Sequence, residues 1–206
     1  MSASQSPGPA EPQSFVFTPE NKAEAEKLIA RYPKGRQQSA VMGLLWLAQR
    51  QSGGWLPRAA MEHVAATLDM APIRVYEVAT FYTMYNLKPV GKHHIQLCRT
   101  TPCWLRGSDA LREVCEKKLG IGLKEVMPDG KFSLVEVECL GACVNAPMIQ
   151  INDDFYEDLD AKSMEALLDK LARGETPKVG SQTGRQGSAP EGGPTTLLNA
   201  APKAGE

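Results

Sequence analysis

The feature that most constrains this chain is a change of hydrophobic period near Gly91. Before it, apolar residues recur at helical spacing. Ala25, Leu28, Ile29 and Tyr32 make one stripe, opened by Thr18-Pro19-Glu20 and closed by Pro33-Lys34-Gly35. Val41, Leu44, Leu45 and Ala48 make a second, stopped by Gly53-Gly54. Met61, Val64, Ala65 and Leu68 make a third, and Val75, Val78, Ala79 and Tyr82 a fourth. Apolar residues at i, i+3, i+4 and i+7 share one helix face, so four such stripes with short connections predict a small helical bundle. After Gly91 the period is two. His93, Ile95 and Leu97 alternate with His94, Gln96 and Cys98, and over a second strand, Leu134 to Cys139, Val135, Val137 and Cys139 alternate with Glu136 and Glu138. Met148–Ile151 reads as a third strand that turns at Asn152-Asp153 into Phe155-Tyr156. Helical stripes follow the first strand (Leu111, Val114, Cys115, Leu119, with Ser108 as cap) and the last (Met164, Leu167, Leu168, Leu171). Strand, helix, strands, helix predicts a small α/β sandwich of thioredoxin-like character.

The ends differ from this body. Residues 1–17 are rich in Ser, Pro and Gln, and residues 174–206 hold seven Gly and four Pro. Such stretches bury too little apolar surface to offset the entropy of ordering them. The expected organisation is therefore a disordered segment over 1–17, a helical bundle over 18–89, a thioredoxin-like domain over 90–173 and an extended Gly/Pro-rich tail over 174–206. Lys plus Arg is 23 and Asp plus Glu is 24, a balance without the basic footprint of a nucleic-acid binder. The longest nearly unbroken apolar run, Ala40–Ala48, is nine residues, against about 20 for a membrane span. Residues 1–17 carry Glu11 as their one charge, unlike a secretory signal or an Arg-rich transit peptide.

Five cysteines remain. Cys98-Arg-Thr-Thr-Pro-Cys103 and Cys139-Leu-Gly-Ala-Cys143 are separated by 35 residues, and each pair sits at the end of an expected strand. Loops that follow neighbouring strands meet at one end of a sheet, so the pairs can face each other. Four thiolates suit soft centres such as zinc or an iron–sulfur cluster. A single zinc commonly takes C-x2-C knuckles, though gaps up to four occur. Two bridged irons form a wider object, in which each iron takes one pair and longer loops fit. Thr100, Thr101 and the amides near Gly141 and Ala142 can donate to sulfur, and Arg99 can add positive charge. Reactive dithiols and buried structural thiols are the other readings; C-x-x-C is absent, and a Rieske centre would need two His in place of one Cys pair. Cys115 lies on an apolar stripe and reads as a buried thiol. His93 and His94 read as surface or edge residues, His63 as structural. Trp104 reads as a shield for the cysteines or as an ordinary half-buried aromatic. Pro147 is left as cis or trans.

CRTTPC followed 35 residues later by CLGACVNAPMIQIND, with SAVMGLLWLAQRQSGGWLP, VYEVATFYTMYNLKPVGKHHIQLC and GSAPEGGPTTL, resembles the NuoE-type thioredoxin-like [2Fe–2S] subunits of respiratory complex I, NADH:quinone oxidoreductase. The resemblance covers about Phe15 to Leu197. It implies a helical bundle followed by a thioredoxin-like ferredoxin domain, an α+β or α/β chain. It implies one [2Fe–2S] cluster on Cys98, Cys103, Cys139 and Cys143, exchanging single electrons with the FMN of a partner. FMN and NADH would sit on that flavoprotein subunit, and this chain has no G-x-G-x-x-G after a strand. The chain would thus be a non-catalytic redox subunit, with no catalytic residues of its own. The large iron–sulfur subunit of the peripheral arm would be a further partner. The implied place is the cytoplasmic side of the bacterial inner membrane, or the matrix side for a processed mitochondrial form. The equivalent subunit of an NAD-linked hydrogenase or formate dehydrogenase is the alternative, and a non-redox interaction module a third.

Overall fold

A computed structural model describes residues 11–190, 192, 193, 195 and 196. The chain divides into two compact units between Lys92 and His93.

The first unit is helical. Helices α1 (Pro19–Ala30), α2 (Val41–Gln51), α3 (Arg58–Thr67) and α4 (Pro72–Phe81) follow the four stripes, with a 3-10 turn over Gln37–Ala40. Thr18 starts α1 as its cap, its hydroxyl accepting from the Asn21 amide. The stripes supply the core: Leu44, Leu45 and Ala48 of α2, Ala60 and Val64 of α3, and Val75 of α4 are wholly buried. Gln49 lies on the buried face because both ends of its amide are used. Its Nε2 donates to the Met84 carbonyl at 3.0 Å, and its Oε1 accepts from the Asn86 amide at 2.7 Å. This ties the segment after α4 back to α2. Tyr32 and Tyr82, assigned to stripes, lie just past their helix ends and are half exposed.

Disorder over 1–17 fails for the part the structure describes. Phe17 is buried and Phe15 packs on the same core, both rings meeting His63 edge-on at 5.0 and 5.6 Å. Gln51 holds this segment by accepting from the Thr18 amide and donating to the Val16 carbonyl. Glu11 accepts from the Arg58 amide at 2.6 Å, serving the α3 N-terminus, where Pro57 has no side chain to offer. Two aromatic side chains outweigh the polar composition around them. Residues 1–10 lie outside the described residues.

The second unit is one six-stranded sheet with helices. Strands β1 (His93–Cys98), β2 (Glu125–Val126), β3 (Phe132–Val137), β4 (Ile149–Ile151), β5 (Asp154–Glu157) and β6 (Gly180–Ser181) lie in the order β2-β3-β1-β4-β5-β6. β1 is central, parallel to β3 and antiparallel to β4. The remaining helices are a short α5 (Thr101–Leu105), α6 (Ser108–Leu119) and α7 (Ala161–Ala172). Ile95, Leu97, Phe132, Leu134, Ile149 and Ile151 of the sheet share one core with Leu111 and Cys115 of α6 and with Met164, Leu167 and Leu168 of α7. Asp160 and Ser163 form a reciprocal capping box at the start of α7.

Several expectations change here. The cap of α6 is Gly107, in the left-handed region at φ 99°, and Ser108 is buried as the first helical residue. β3 begins at Phe132 and stops at Val137, because the β1 register ends with Cys98 opposite Val137. Cys139 is therefore in the loop beyond. His94 is no surface residue: it is buried in β1, and its Nδ1 lies 2.8 Å from Ser133 Oγ on β3. Burial pushes its imidazole down to about 4. The boundary at 173/174 also moves, since β6 pairs with β5 and carries the fold past residue 180. Residues 191, 194 and 197–206 of the expected tail lie outside the described residues.

Candidate metal centre

The two cysteine pairs reach one end of the sheet by different routes. Cys98 is the last residue of β1 and is buried. Thr100 and Pro102 then start α5, which buries Cys103. Thr100 occupies the cap position, yet its hydroxyl makes no capping bond; Oγ1 lies 3.5 Å from Cys98 Sγ. Cys139 follows β3 in an exposed loop, and Cys143 opens a 3-10 turn over Cys143–Asn145. Their sulfurs are 3.4 Å apart. Gly141 shapes this loop at φ 84°, a conformation side chains rarely adopt, and its amide donates to Cys139 Sγ at 3.4 Å. Ala146 and Met148 pack with Cys98 and Cys103 in a small core of their own, joined by Leu140, Ala142 and Phe155. The Ala146–Pro147 bond is cis.

The thiols are linked across the pairs. Burial pushes Cys98 up, but hydrogen bonds from the Thr100 side chain, the Leu140 and Thr100 amides and Cys103 outweigh it and leave the thiol below its ordinary value. Burial raises Cys103 to about 12, and Cys98 adds to this. The Gly141 amide, then Cys143 and Thr100, lower Cys139. Cys139 in turn raises Cys143. Thr100 Oγ1 thus serves Cys98, and the Gly141 amide serves Cys139. Among the described residues, no group of three or more His, Cys, Asp or Glu is arranged to hold one metal ion. The four sulfurs form two pairs, with backbone and hydroxyl donors aimed at them. That donor set matches an anionic, sulfur-ligated group.

The profile of the thioredoxin-like [2Fe–2S] ferredoxins matches residues 25–172. This chain belongs to the thioredoxin-like [2Fe–2S] ferredoxin family. As a ferredoxin of that family it carries one [2Fe–2S] cluster, and the donor set above fits it. It is 61% identical over 158 residues to the E-type subunit of the NADH-quinone oxidoreductase of Rickettsia bellii, covering 77% of this chain and 95% of that one. It is 53% identical over 184 residues to the mitochondrial NADH dehydrogenase [ubiquinone] flavoprotein 2 of Dictyostelium discoideum, covering 89% of this chain and 74% of that one. A crystal structure of an NAD+-reducing [NiFe]-hydrogenase in the air-oxidized state matches with a TM-score of 0.56 at 22% identity, a likeness of fold. That match covers 63% of this chain, which spans only 23% of the hydrogenase chain.

Cys115, Trp104 and Arg99 have surroundings of their own in this ferredoxin. Cys115 is on α6, wholly buried among Leu111 and its neighbours. Trp104 is half exposed and gives Cys103 no cover comparable to Met148 and Ala146. Arg99 bridges Asp109 and Glu136 at 2.8 and 3.0 Å. Sequence reasoning missed two arginines. Arg106 donates to the Ala146 carbonyl at 3.3 Å, bracing the corner beneath the second pair. Arg185 forms a buried pair with Asp158, a contact that no local motif announces.

Proposed function

We propose that this chain is the electron-transfer subunit of an NADH-quinone oxidoreductase, with its cluster held by Cys98, Cys103, Cys139 and Cys143. The carrying observation is that the two cysteine pairs follow the parallel strands β1 and β3 at one end of the sheet, with Thr100 against Cys98 and the Gly141 amide on Cys139. The likeness to nearly the whole length of the Rickettsia bellii protein supports the choice of complex. When bound, the cluster supplies a one-electron couple of low potential, as in all-cysteine ferredoxins near about −400 mV. Cys98 and Cys103 provide the buried half of the site, and Cys139 and Cys143 the exposed half. The Gly141 amide and the Thr100 hydroxyl offset thiolate charge. The exposed half is the side from which an electron can be exchanged.

In this reading the exchange partner is FMN on a flavoprotein subunit, which also binds NADH, and the large iron–sulfur subunit is a neighbour in the same arm. Association with the membrane is peripheral, on the cytoplasmic face in a bacterium or the matrix face in a mitochondrion. Among the described residues, no helix is long and apolar enough to cross a membrane.

Purification of the native assembly tests this. The chain should co-purify with a flavoprotein and membrane subunits and, expressed alone, hold two irons and two sulfides with a reduced-state paramagnetic signal. Ser at Cys98, Cys103, Cys139 or Cys143 should lose or destabilise the cluster. A colourless chain with one zinc, or an assembly built on nickel or molybdenum, would overturn the proposal.

A further inference from the structure

A buried ion pair of the second unit lies beside the second cysteine pair. Arg185 and Asp158 are among the least accessible charged side chains, at 9% and 8% exposure. The guanidinium grips the carboxylate with two nitrogens, Nη2 on Oδ1 and Nε on Oδ2. The same Nη2 donates to the Val144 carbonyl at 2.9 Å. Asp158 also accepts from Ser181 Oγ at 2.6 Å and from Asn145 Nδ2 at 3.3 Å, and its amide donates to the Asn145 carbonyl at 2.8 Å. Val144 and Asn145 are the two residues that follow Cys143.

Burying two charges costs several kcal/mol per ion unless their partners are complete. Here they are complete, and a share of the hydrogen bonding goes to the backbone of one three-residue turn. That turn has little of its own: the Asn145 amide to the Ala142 carbonyl at 3.0 Å and the Ala146 amide to the Cys143 carbonyl at 3.3 Å. Val144 itself is 61% exposed, so its side chain does not anchor the turn.

We infer that Arg185 is a positioning residue for the cluster: oriented by Asp158, it holds the Val144 carbonyl and so fixes the Cys143–Asn145 turn. The inference rests on the reading of Cys139 and Cys143 as ligands. It makes residues 181–185 part of the cluster-binding domain and not a separate tail.

The test uses the full chain with its cluster. Iron extraction by a chelator, visible circular dichroism and the unfolding midpoint are read for Arg185→Met, Arg185→Lys and Arg185→Met/Asp158→Asn. Loss of an outer partner of a metal ligand typically costs 10–100-fold in affinity, and the expectation here is about tenfold faster iron loss with an altered dichroism spectrum. Lys cannot span carboxylate and carbonyl as the planar fork does, so Arg185→Lys is also labile. The double variant removes the stranded carboxylate and regains the unfolding midpoint, yet its iron stays labile. Should Arg185→Met fail to fold, Arg185→Lys decides alone. Iron loss within twofold of the unsubstituted chain with an unchanged spectrum overturns the inference. So does recovery of iron retention in the double variant, which would trace the defect to the lone charge. Cys139→Ser is measured alongside: if it leaves the cluster unaltered, the ligand reading fails, whatever Arg185 does.

Discussion

Cys115 separates the reading of five cysteines as four ligands and one bystander from its rivals. It is wholly buried on α6, and burial, helped by Glu116, pushes its thiol up to about 12. The group is thus a neutral apolar atom at neutral pH. Cys115→Ala removes one sulfur, close in size to a methylene, at about 0.8 kcal/mol of lost transfer energy. An unrelaxed void of about 25–30 Å³ adds roughly 0.6–0.7 kcal/mol, near 1.5 kcal/mol together. In a chain of this size that lowers the unfolding midpoint by about 3–6 °C. Cys115→Ser should cost more, since it places a hydroxyl in the same apolar core. Thermal unfolding followed by far-ultraviolet dichroism reads the first quantity, and iron per chain reads the second. Iron stays at the unsubstituted level in both variants, and Cys115 resists alkylation until the chain unfolds. Loss of iron in Cys115→Ala comparable to that in Cys98→Ser would refute the reasoning, as would alkylation of Cys115 in the native chain.

Two further outcomes follow from named groups. His94 is held near a pKa of about 4 against 6.5 in the unfolded chain, so between these values the unfolded state binds the extra proton. Stability is then whole above about pH 6.5 and falls by about 2 kcal/mol from pH 7 to pH 5. His94→Gln should flatten that slope in unfolding curves taken across the range; an unchanged slope assigns it elsewhere. Gly141→Ala meets no atom within 4 Å, so its cost is backbone strain alone, about 1–2 kcal/mol, at φ 84°. Iron retention should fall in the order Gly, Asn, Ala at this position, because Asn tolerates the left-handed region best among side chains; equal retention would show that the loop does not need that conformation.

What the sequence made legible was what local pattern controls. Periodicity located helices α1 to α4, α6 and α7, because each buries one face and that face is written at helical spacing. The hairpin of β4 and β5 was visible from Asn152-Asp153, and Asn152 does take a positive φ of 55°. The reading of β3 overran to Cys139 because alternation continues past the point where β1 ceases to offer a partner. His94 was misread because its burial depends on β3 and β4 flanking β1, which no local window contains. Phe15, Phe17 and the segment around Arg185 were hidden by composition: few anchors in polar surroundings suffice when a preformed face awaits them. The spacing of the cysteines put both pairs at one end of a sheet, but which pair is buried and which exposed needed the fold.

The parallel pairing of β1 with β3 gives the two units different kinds of contact. In the helical unit most packing joins neighbours in sequence, the class of contact that forms in microseconds to milliseconds. The sheet unit cannot set its central register, His93 opposite Phe132, until a loop of nearly forty residues has closed, and β6 must then cross back over α7 to reach β5. The end of β1, α5 and the segment after β3 carry the four thiols, so both pairs meet only once that register is set. A site for four sulfurs thus depends on a pairing between strands far apart in sequence, whereas each helix of the first unit packs on sequence neighbours.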